Sequence, residues 1–408
     1  MNLGSSWRRW LAAFLLAMAA AHIIVTWRER TPIARGYADF SAFYSIGWMA
    51  RHGLGRQLYD RREQWRVQQE LFPQAEIRQG PIPIVRPPFE ALVFLPFSYF
   101  AYPAALALWS ALKLALLWLT LPILAGESPF LQSYPAWLET ILCLGFFPAF
   151  LDFYLGQDAV FLLFFVVLAF RSLCHGRDSA AGLFLGLGLF KFHLVVPIVL
   201  VLVLIGRWRV LRGFMPTAVG LTAISCAVAG GSVIFAYPAY LLRLNRAPGV
   251  GMVTAQSMPN LRGLLTAWVG RAPYPGPIHW LLLPVAIAAL AYTARIWRSR
   301  IEAGMPALAL GYSLAIVVAM VTSYYLYIYD LTLLLVPLLL VAGSHPEQFG
   351  FIPRSRQLLN AGSLFLICAP LCWALILYWD RGYLLCLPMV LLAAGLVGAL
   401  RALAPRPS

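Results

Sequence analysis

Ala159-Val160-Phe161-Leu162-Leu163-Phe164-Phe165-Val166-Val167-Leu168-Ala169-Phe170 runs from Asp158 to Arg171 without one polar side chain. A strand of a membrane barrel would alternate apolar and polar residues over about ten positions. This run does not alternate, and Leu194 to Ile205 repeats the pattern. Such runs read as helices whose whole circumference is apolar, in a core or in lipid. The rest of the chain decides for lipid. Its 408 residues are 61% hydrophobic and 12% charged, whereas soluble domains are roughly 45–50% apolar and about 25% charged. So few charges cannot cover that much apolar surface. With roughly 20 apolar residues needed per crossing, the expected architecture is an all-α polytopic bundle of about 11–13 spans, one integral membrane unit over residues 1–408. A soluble enzyme, a disordered chain and a secreted disulfide scaffold are excluded.

The formal charge is +15. Of the 31 basic residues only Lys113 and Lys191 are lysines. Arginines recur in short loops at 171–177, 207–212, 295–300 and 354–356. The positive-inside effect accounts for them, so no nucleic-acid partner is expected. The cysteines at 143, 174, 226, 368, 372 and 386 form no CxxC pair and no metal spacing with histidine, and read as small buried hydrophobes.

Arg8 and Arg9 precede a first span at Trp10–Trp27, which sets the N-terminus in the cytoplasm. Ala19-Ala20-Ala21 resembles a cleavage site, but the many later spans favour a retained anchor. Residues 28–87 form a first outer segment. In it Phe40, Phe43, Ile46, Gly47 and Ala50 fall at helical spacing behind Asp39, predicting an amphipathic helix in the outer interface. A polar helix is expected over 61–71. Further runs lie near 88–100, 104–124, 136–151, 158–171, 180–190, 193–206, 213–235, 277–294, 304–322, 328–342, 358–378 and 383–400. Residues 236–276 form a second outer loop. The runs 180–190 and 193–206 read as a hairpin with Lys191-Phe192-His193 at its tip. Counting crossings leaves a parity conflict between residues 88 and 171. Phe89–Tyr99, short and interrupted by Pro96, is the suspected non-crossing piece.

Ionisable residues at membrane depth are costly and therefore candidates for function. Asp39 stands at a helix start among aromatic residues, where a plain N-cap explains it equally well. Asp330 ends Tyr324-Tyr325-Leu326-Tyr327-Ile328-Tyr329. An aromatic belt explains those tyrosines but not the carboxylate. Gly156-Gln157-Asp158 opens a span, Arg86 precedes Pro87-Pro88, and Lys191 either snorkels or holds a phosphate. Arg243, Arg246, Gln256, Ser257, Asn260 and Arg262 supply cations and amides in the second outer loop, where a solvated loop is the plain alternative.

The order Asp39-Phe40, Tyr44, Leu58-Tyr59-Asp60, Arg86-Pro87-Pro88-Phe89, Gly156-Gln157 and Gly182-Leu183-Phe184-Leu185-Gly186-Leu187-Gly188 leading to Lys191 resembles glycosyltransferase family 87. These are polyprenol-phosphate-mannose-dependent enzymes of the GT-C type. The resemblance implies an inner-membrane protein with its site on the extracytoplasmic face. It implies a polyprenyl-phosphate sugar donor, a glycolipid or glycan acceptor and membrane lipids as partners, and no cofactor or metal. Asp39 is then the base. Arg86, Lys191, Tyr44, Gln157, Asp330, Asn260 and Arg262 are expected around donor and substrate. Two departures stand out: Arg86 replaces the family's usual tyrosine before Pro-Pro, and the second outer loop has no clear match. A secondary transporter or flippase, or a non-catalytic membrane scaffold, are the competing classes.

Overall fold

The computed structural model describes residues 3–75, 80–127, 135–246, 254–269, 278–342 and 353–403, and every regular element among them is helical. Helix α1 (Leu3–Arg28) leads into a layer built from α2 (Phe40–Arg51), α3 (Arg61–Leu71) and α4 (Glu90–Phe94). Then follow α5 (Tyr102–Ala125), α6 (Ala136–Leu144), α7 (Phe147–Leu155), α8 (Ala159–Cys174), α9 (Asp178–Leu187), α10 (Phe192–Leu204) and α11 (Leu211–Ala229). The remainder comprises α12 (Val233–Arg246), α13 (Leu261–Val269), α14 (Ile278–Arg298), α15 (Met305–Thr322), α16 (Leu335–Ala342), α17 (Pro353–Ile367), α18 (Ala369–Trp373) and α19 (Cys386–Ala402).

Among the described residues, seven helices are long and apolar enough to cross a membrane, or up to nine if each of two bent pairs is one span. The pairs are α6 with α7, bent by 82°, and α17 with the helical stretch to Tyr378, bent by 63°. The stretch 88–100 does not cross. It is α4 plus a 3-10 turn, Pro96–Tyr99, and ten helical residues reach only about 15 Å against a hydrocarbon core of about 30 Å.

The second topological question turns on Asp178–Leu204. Drawn as one rod, this segment would be about 40 Å long. Yet Arg207, just beyond its end, pairs with Asp178 at its start at 3.0 Å and donates to the Leu173 carbonyl. The segment therefore folds back at the 3-10 turn Gly188–Lys191, where Lys191 leaves helical geometry at φ −119°, ψ 55°. The hairpin expected around Lys191 is present, and both of its ends lie beside Arg207. With 88–100 removed and 178–204 folded back, successive crossings alternate between two ends of the bundle without conflict. One end carries Gly156–Asp158, Lys191 and Tyr324–Asp330. The other carries Arg171, Arg207 and Arg300.

Two cores hold these parts. The bundle core centres on α8, α10 and α15, where Tyr312 donates to the Val166 carbonyl at 2.9 Å inside the membrane-depth packing. The second core belongs to the layer over the bundle: Phe40, Phe43, Tyr44, Met49, Phe72 and Phe94 pack together with Tyr102 and Trp109 of α5. Helix α2 is thus not an amphipathic helix at an interface. Nine of its twelve residues are buried, because α3, α4 and α5 cover it.

Three further expectations are adjusted. The run 213–235 ends at Ala229, broken by Gly230 at φ 86°, and α12 begins the second loop as a separate helix. Tyr237 and Tyr240 of α12 dock on Val85 and Gln64 of the layer. Basic charge is also not confined to short loops, since residues 28–87 alone hold ten arginines. On α3 the chemistry is clear: Arg66 faces outward between Glu63 and Glu70, while Gln64 and Gln68 face inward. All six cysteines are free thiols, but only Cys143, Cys372 and Cys386 are buried as expected, and Cys174, Cys226 and Cys368 are partly exposed.

Lipid tails supply no hydrophobic drive between helices, so close backbone approach matters. On α9 and α11, a Cβ at Gly182 would stand 1.8 Å from the Val210 carbonyl oxygen, and one at Gly213 would stand 1.9 Å from that of Ser179. Gly182→Val and Gly213→Val are expected to open this pair and lower the melting temperature of the purified protein sharply. Gly220→Val, on α11 with nothing within 4 Å, is the matched control and should melt like wild type.

Candidate active site

The turn 156–158 is the hub, and its shape follows from local sequence. Helix α7 ends on Gly156 at φ 69°, a conformation that a side chain would strain, and a Cβ there would meet Phe40 at 2.5 Å. Asp152, fully buried on α7, ties the turn from below. Its backbone carbonyl accepts from Gln157 N at 2.8 Å, and its carboxylate accepts from Ala159 N at the start of α8. Lys113 of α5 holds that carboxylate at 3.0 Å and donates to the same backbone carbonyl. Trp109, one turn earlier, donates to the Gly156 carbonyl at 3.0 Å.

Gln157 and Asp158 then face the layer. Arg86 arrives there on a segment without regular secondary structure that α3 grips through a pair of glutamines. Gln68 exchanges two hydrogen bonds of 2.9 Å with Ile82, and Gln64 accepts from Ile84 N. Tyr59 fixes the next link by donating to the Arg86 carbonyl at 2.7 Å. The guanidinium donates to Gln157 Oε1 and to Asp158, each at 3.0 Å. Gln157 Nε2 in turn donates to Asp39 Oδ2 at 2.8 Å.

Asp39 occupies the N-cap position of α2, but its side chain makes no capping bond. The cap that would explain an aspartate there is absent, and its carboxylate instead faces Gln157. From the bundle, Lys191 reaches Asp158 at 2.8 Å and also pairs with Asp330. Asp330 accepts from Tyr327 N at 2.9 Å and so caps its own 3-10 turn, Ile328–Leu334. One continuous network therefore joins Asp39, Gln157, Arg86, Asp158, Lys191 and Asp330 across the two cores.

A cavity opens beside the network. Arg86, Lys191, His193 and Asp330 form its polar wall, and Phe192 and Leu241 part of its apolar wall. The rings of Tyr327 and Tyr329 stack at 5.3 Å on another side, and the Lys191 ammonium lies 4.8 Å from the Tyr329 ring. Asp39 is outside the lining itself. Its charge still reaches the cavity: burial, then Tyr325, Asp330 and Asp39, push the Tyr327 phenol above its ordinary value.

The charges are closely balanced. Burial would raise the Asp158 carboxyl, but Arg86 and Lys191 outweigh it and hold the group below its ordinary value. Glu90, one turn after Arg86, has the opposite fate. Burial pushes it up to about 8, and its Oε2 sits 3.9 Å from Arg86 Nε without a hydrogen bond between them.

The other expected residues sit elsewhere. Tyr44 belongs to the aromatic core and donates to the Phe100 carbonyl at 2.9 Å. Asn260 caps α13 by accepting from Gly263 N and donates to the Ser323 carbonyl. Arg262 donates to the Tyr324 carbonyl and lies 4.1 Å from that ring. These two brace the tyrosine segment. Arg243 is exposed on α12. The side chains of Arg246 and Gln256 lie outside the described residues. Asp158, Glu90, His193 and the Lys113–Asp152 pair were not among the expected site residues. Lys113 had a signal: it is the one cation inside the run 104–124.

The model of glycosyltransferase family 87 matches residues 85–323. That span takes in Arg86, Gln157, Asp158, Lys191, Asn260 and Arg262, and leaves Asp39, Tyr44 and Asp330 outside it. No curated protein and no solved structure matches the chain.

Removing one member of a buried ion pair strands the other, at a cost of about 3–5 kcal/mol. Lys113→Met should therefore destabilise strongly in thermal melts, and Lys113→Met with Asp152→Asn should recover most of the loss. Glu90 gives a pH test. Its folded value lies above its ordinary 4.5, so its contribution to stability is full below that value and is lost as pH rises towards about 8. Glu90→Gln should melt like wild type at pH 5 and above it at pH 8. A lower melting temperature at both pH values would mean that Glu90 is charged in the folded protein.

Proposed function

The chain belongs to glycosyltransferase family 87, and we propose that it moves a sugar, mannose in the first instance, from a polyprenyl-phosphate donor to a hydroxyl of a glycolipid or glycan acceptor. Asp39 is the base in this reading. The observation that carries it is the capping position whose carboxylate does not cap. An aspartate at a helix start whose side chain makes no capping bond, and which Gln157 ties into a buried network, has a placement that suits chemistry.

The reaction needs little from the protein beyond that. The phosphate of a polyprenyl-phosphate sugar is already a good leaving group. As the acceptor oxygen bonds to the anomeric carbon, Asp39 takes the hydroxyl proton and the carbon–oxygen bond to phosphate breaks, its electron pair leaving on the phosphate. One displacement inverts the anomeric configuration, without the second carboxylate that a covalent intermediate would require. Arg86 and Lys191 line the cavity as fixed cations, held in place by Asp158 and Asp330, toward which charge on the departing oxygen can be directed. Gln157 fixes the direction of the base, and Asp158 fixes both cations.

Sidedness follows from the arginines of the short connections. Arg171, Arg207, Arg209, Arg212 and Arg300 cluster at the end opposite the network, which the positive-inside effect assigns to the cytoplasm. The site then opens on the extracytoplasmic face of the plasma membrane.

Asp39→Asn keeps the shape and the hydrogen-bonding capacity but not the basicity. Sugar transfer from a polyprenyl-phosphate donor in membranes should fall about 10²–10⁴-fold, with the melting temperature unchanged. Near-normal transfer would remove Asp39 from the role. Gln157→Leu should lower turnover by a smaller factor, because the base persists but is no longer oriented.

A further inference from the structure

The proposed donor carries a phosphate, yet the two cations lining the cavity are largely offset before it arrives. Arg86 is paired with Asp158, and Lys191 with Asp158 and Asp330. A different group on the same wall is uncommitted. The Nε2 atom of His193 is fully buried and has no hydrogen-bond partner among the described residues. Buried polar atoms without partners are rare in folded proteins, and at a cavity wall they mark the place of a ligand or water.

The backbone around His193 favours an anion there. His193 is the second residue of α10, a helix of thirteen residues that opens at the hairpin tip and has no side-chain cap. The first N–H groups of a helix lack intrahelical acceptors and carry the positive end of its dipole. The opposite part of the lining is apolar. Phe192 is 40% exposed at the tip, and Leu241 of α12 faces the same cavity. An anion with a hydrocarbon tail satisfies both walls, whereas free phosphate would satisfy one.

We propose that His193, with the opening turn of α10, is the direct ligand of the donor's phosphate, hydrogen-bonding it through Nε2. This rests on the donor class proposed above and deepens it by moving the phosphate contact from the two cations to the histidine. A neutral donor at this position suits turnover. It orients the phosphate without the strong attraction of a bare ammonium or guanidinium, so the spent lipid phosphate can leave.

The test uses the full chain in nanodiscs, titrated with a polyprenyl phosphate, with the matching polyprenol and with inorganic phosphate, for wild type, His193→Ala, His193→Gln and Asp39→Asn. Wild type should bind the polyprenyl phosphate more tightly than the polyprenol. His193→Ala should lose about tenfold in affinity for the phosphorylated lipid alone. His193→Gln, which restores a donor, should recover part of it, and Asp39→Asn, which removes a negative charge near the cavity, should not weaken binding. Unchanged affinity in His193→Ala would overturn the proposal, as would an equal loss for polyprenol, which would mean packing. Inorganic phosphate bound as tightly as the lipid would make this a free-phosphate site and overturn the lipid assignment. If wild type does not distinguish polyprenyl phosphate from polyprenol, the donor class itself fails, whereas normal transfer by Asp39→Asn would remove only the base.

Discussion

Asp158 accepts from Arg86 and Lys191 at once, inside a protein whose surroundings are lipid and apolar side chains. Without it Arg86 would lose its close carboxylate partner and Lys191 one of its two, and stranding a buried charge costs several kcal/mol. Much of the rest of the molecule can be understood as what this arrangement requires. Arg86 belongs to the layer and Lys191 to the bundle, so the carboxylate between them fastens one core to the other. The turn bearing Asp158 must then be rigid. That accounts for Asp152, for the second lysine of the chain beneath it, and for the indole of Trp109 bonded to the same turn.

The connection to chemistry is that a rigid set of charges is a preorganised electrostatic environment. Groups that do not rearrange as charge develops stabilise it at little cost at the moment of reaction. Gln157 attaches Asp39 to this frame, its amide donating to the carboxylate.

Much of the fold was legible in the sequence. Apolar runs gave the class, the hairpin at Lys191 was readable from two short runs around a polar tip, and the suspicion against Phe89–Tyr99 followed from its length and Pro96. What could not be read was how an apolar helix is covered. Helix α2 has the spacing of an interfacial helix, and only the packing of α4 against it shows burial on nearly all sides. The site was readable to the same degree. Asp39, Arg86, Gln157, Lys191 and Asp330 stand out as polar residues in apolar or aromatic settings, and all five join one network. Tyr44, Asn260 and Arg262 have the same local look but turn to backbone carbonyls. Periodicity gives the face of a helix and not the identity of the atom opposite. Asp158 was noted at a span's start but given no role, because a residue there already has an ordinary explanation.

The hairpin of α9 and α10 has a consequence for biosynthesis. Its tip brings Lys191 to membrane depth, and the chain must be placed there before its final partner has been made. Asp158 precedes Lys191 by 33 residues, but Asp330 follows it by 139. During insertion the lysine can be met by the first carboxylate and must wait for the second. The translation order thus supplies the ammonium with a provisional counterion, and the later arrival of Asp330 completes the arrangement that closes the tip.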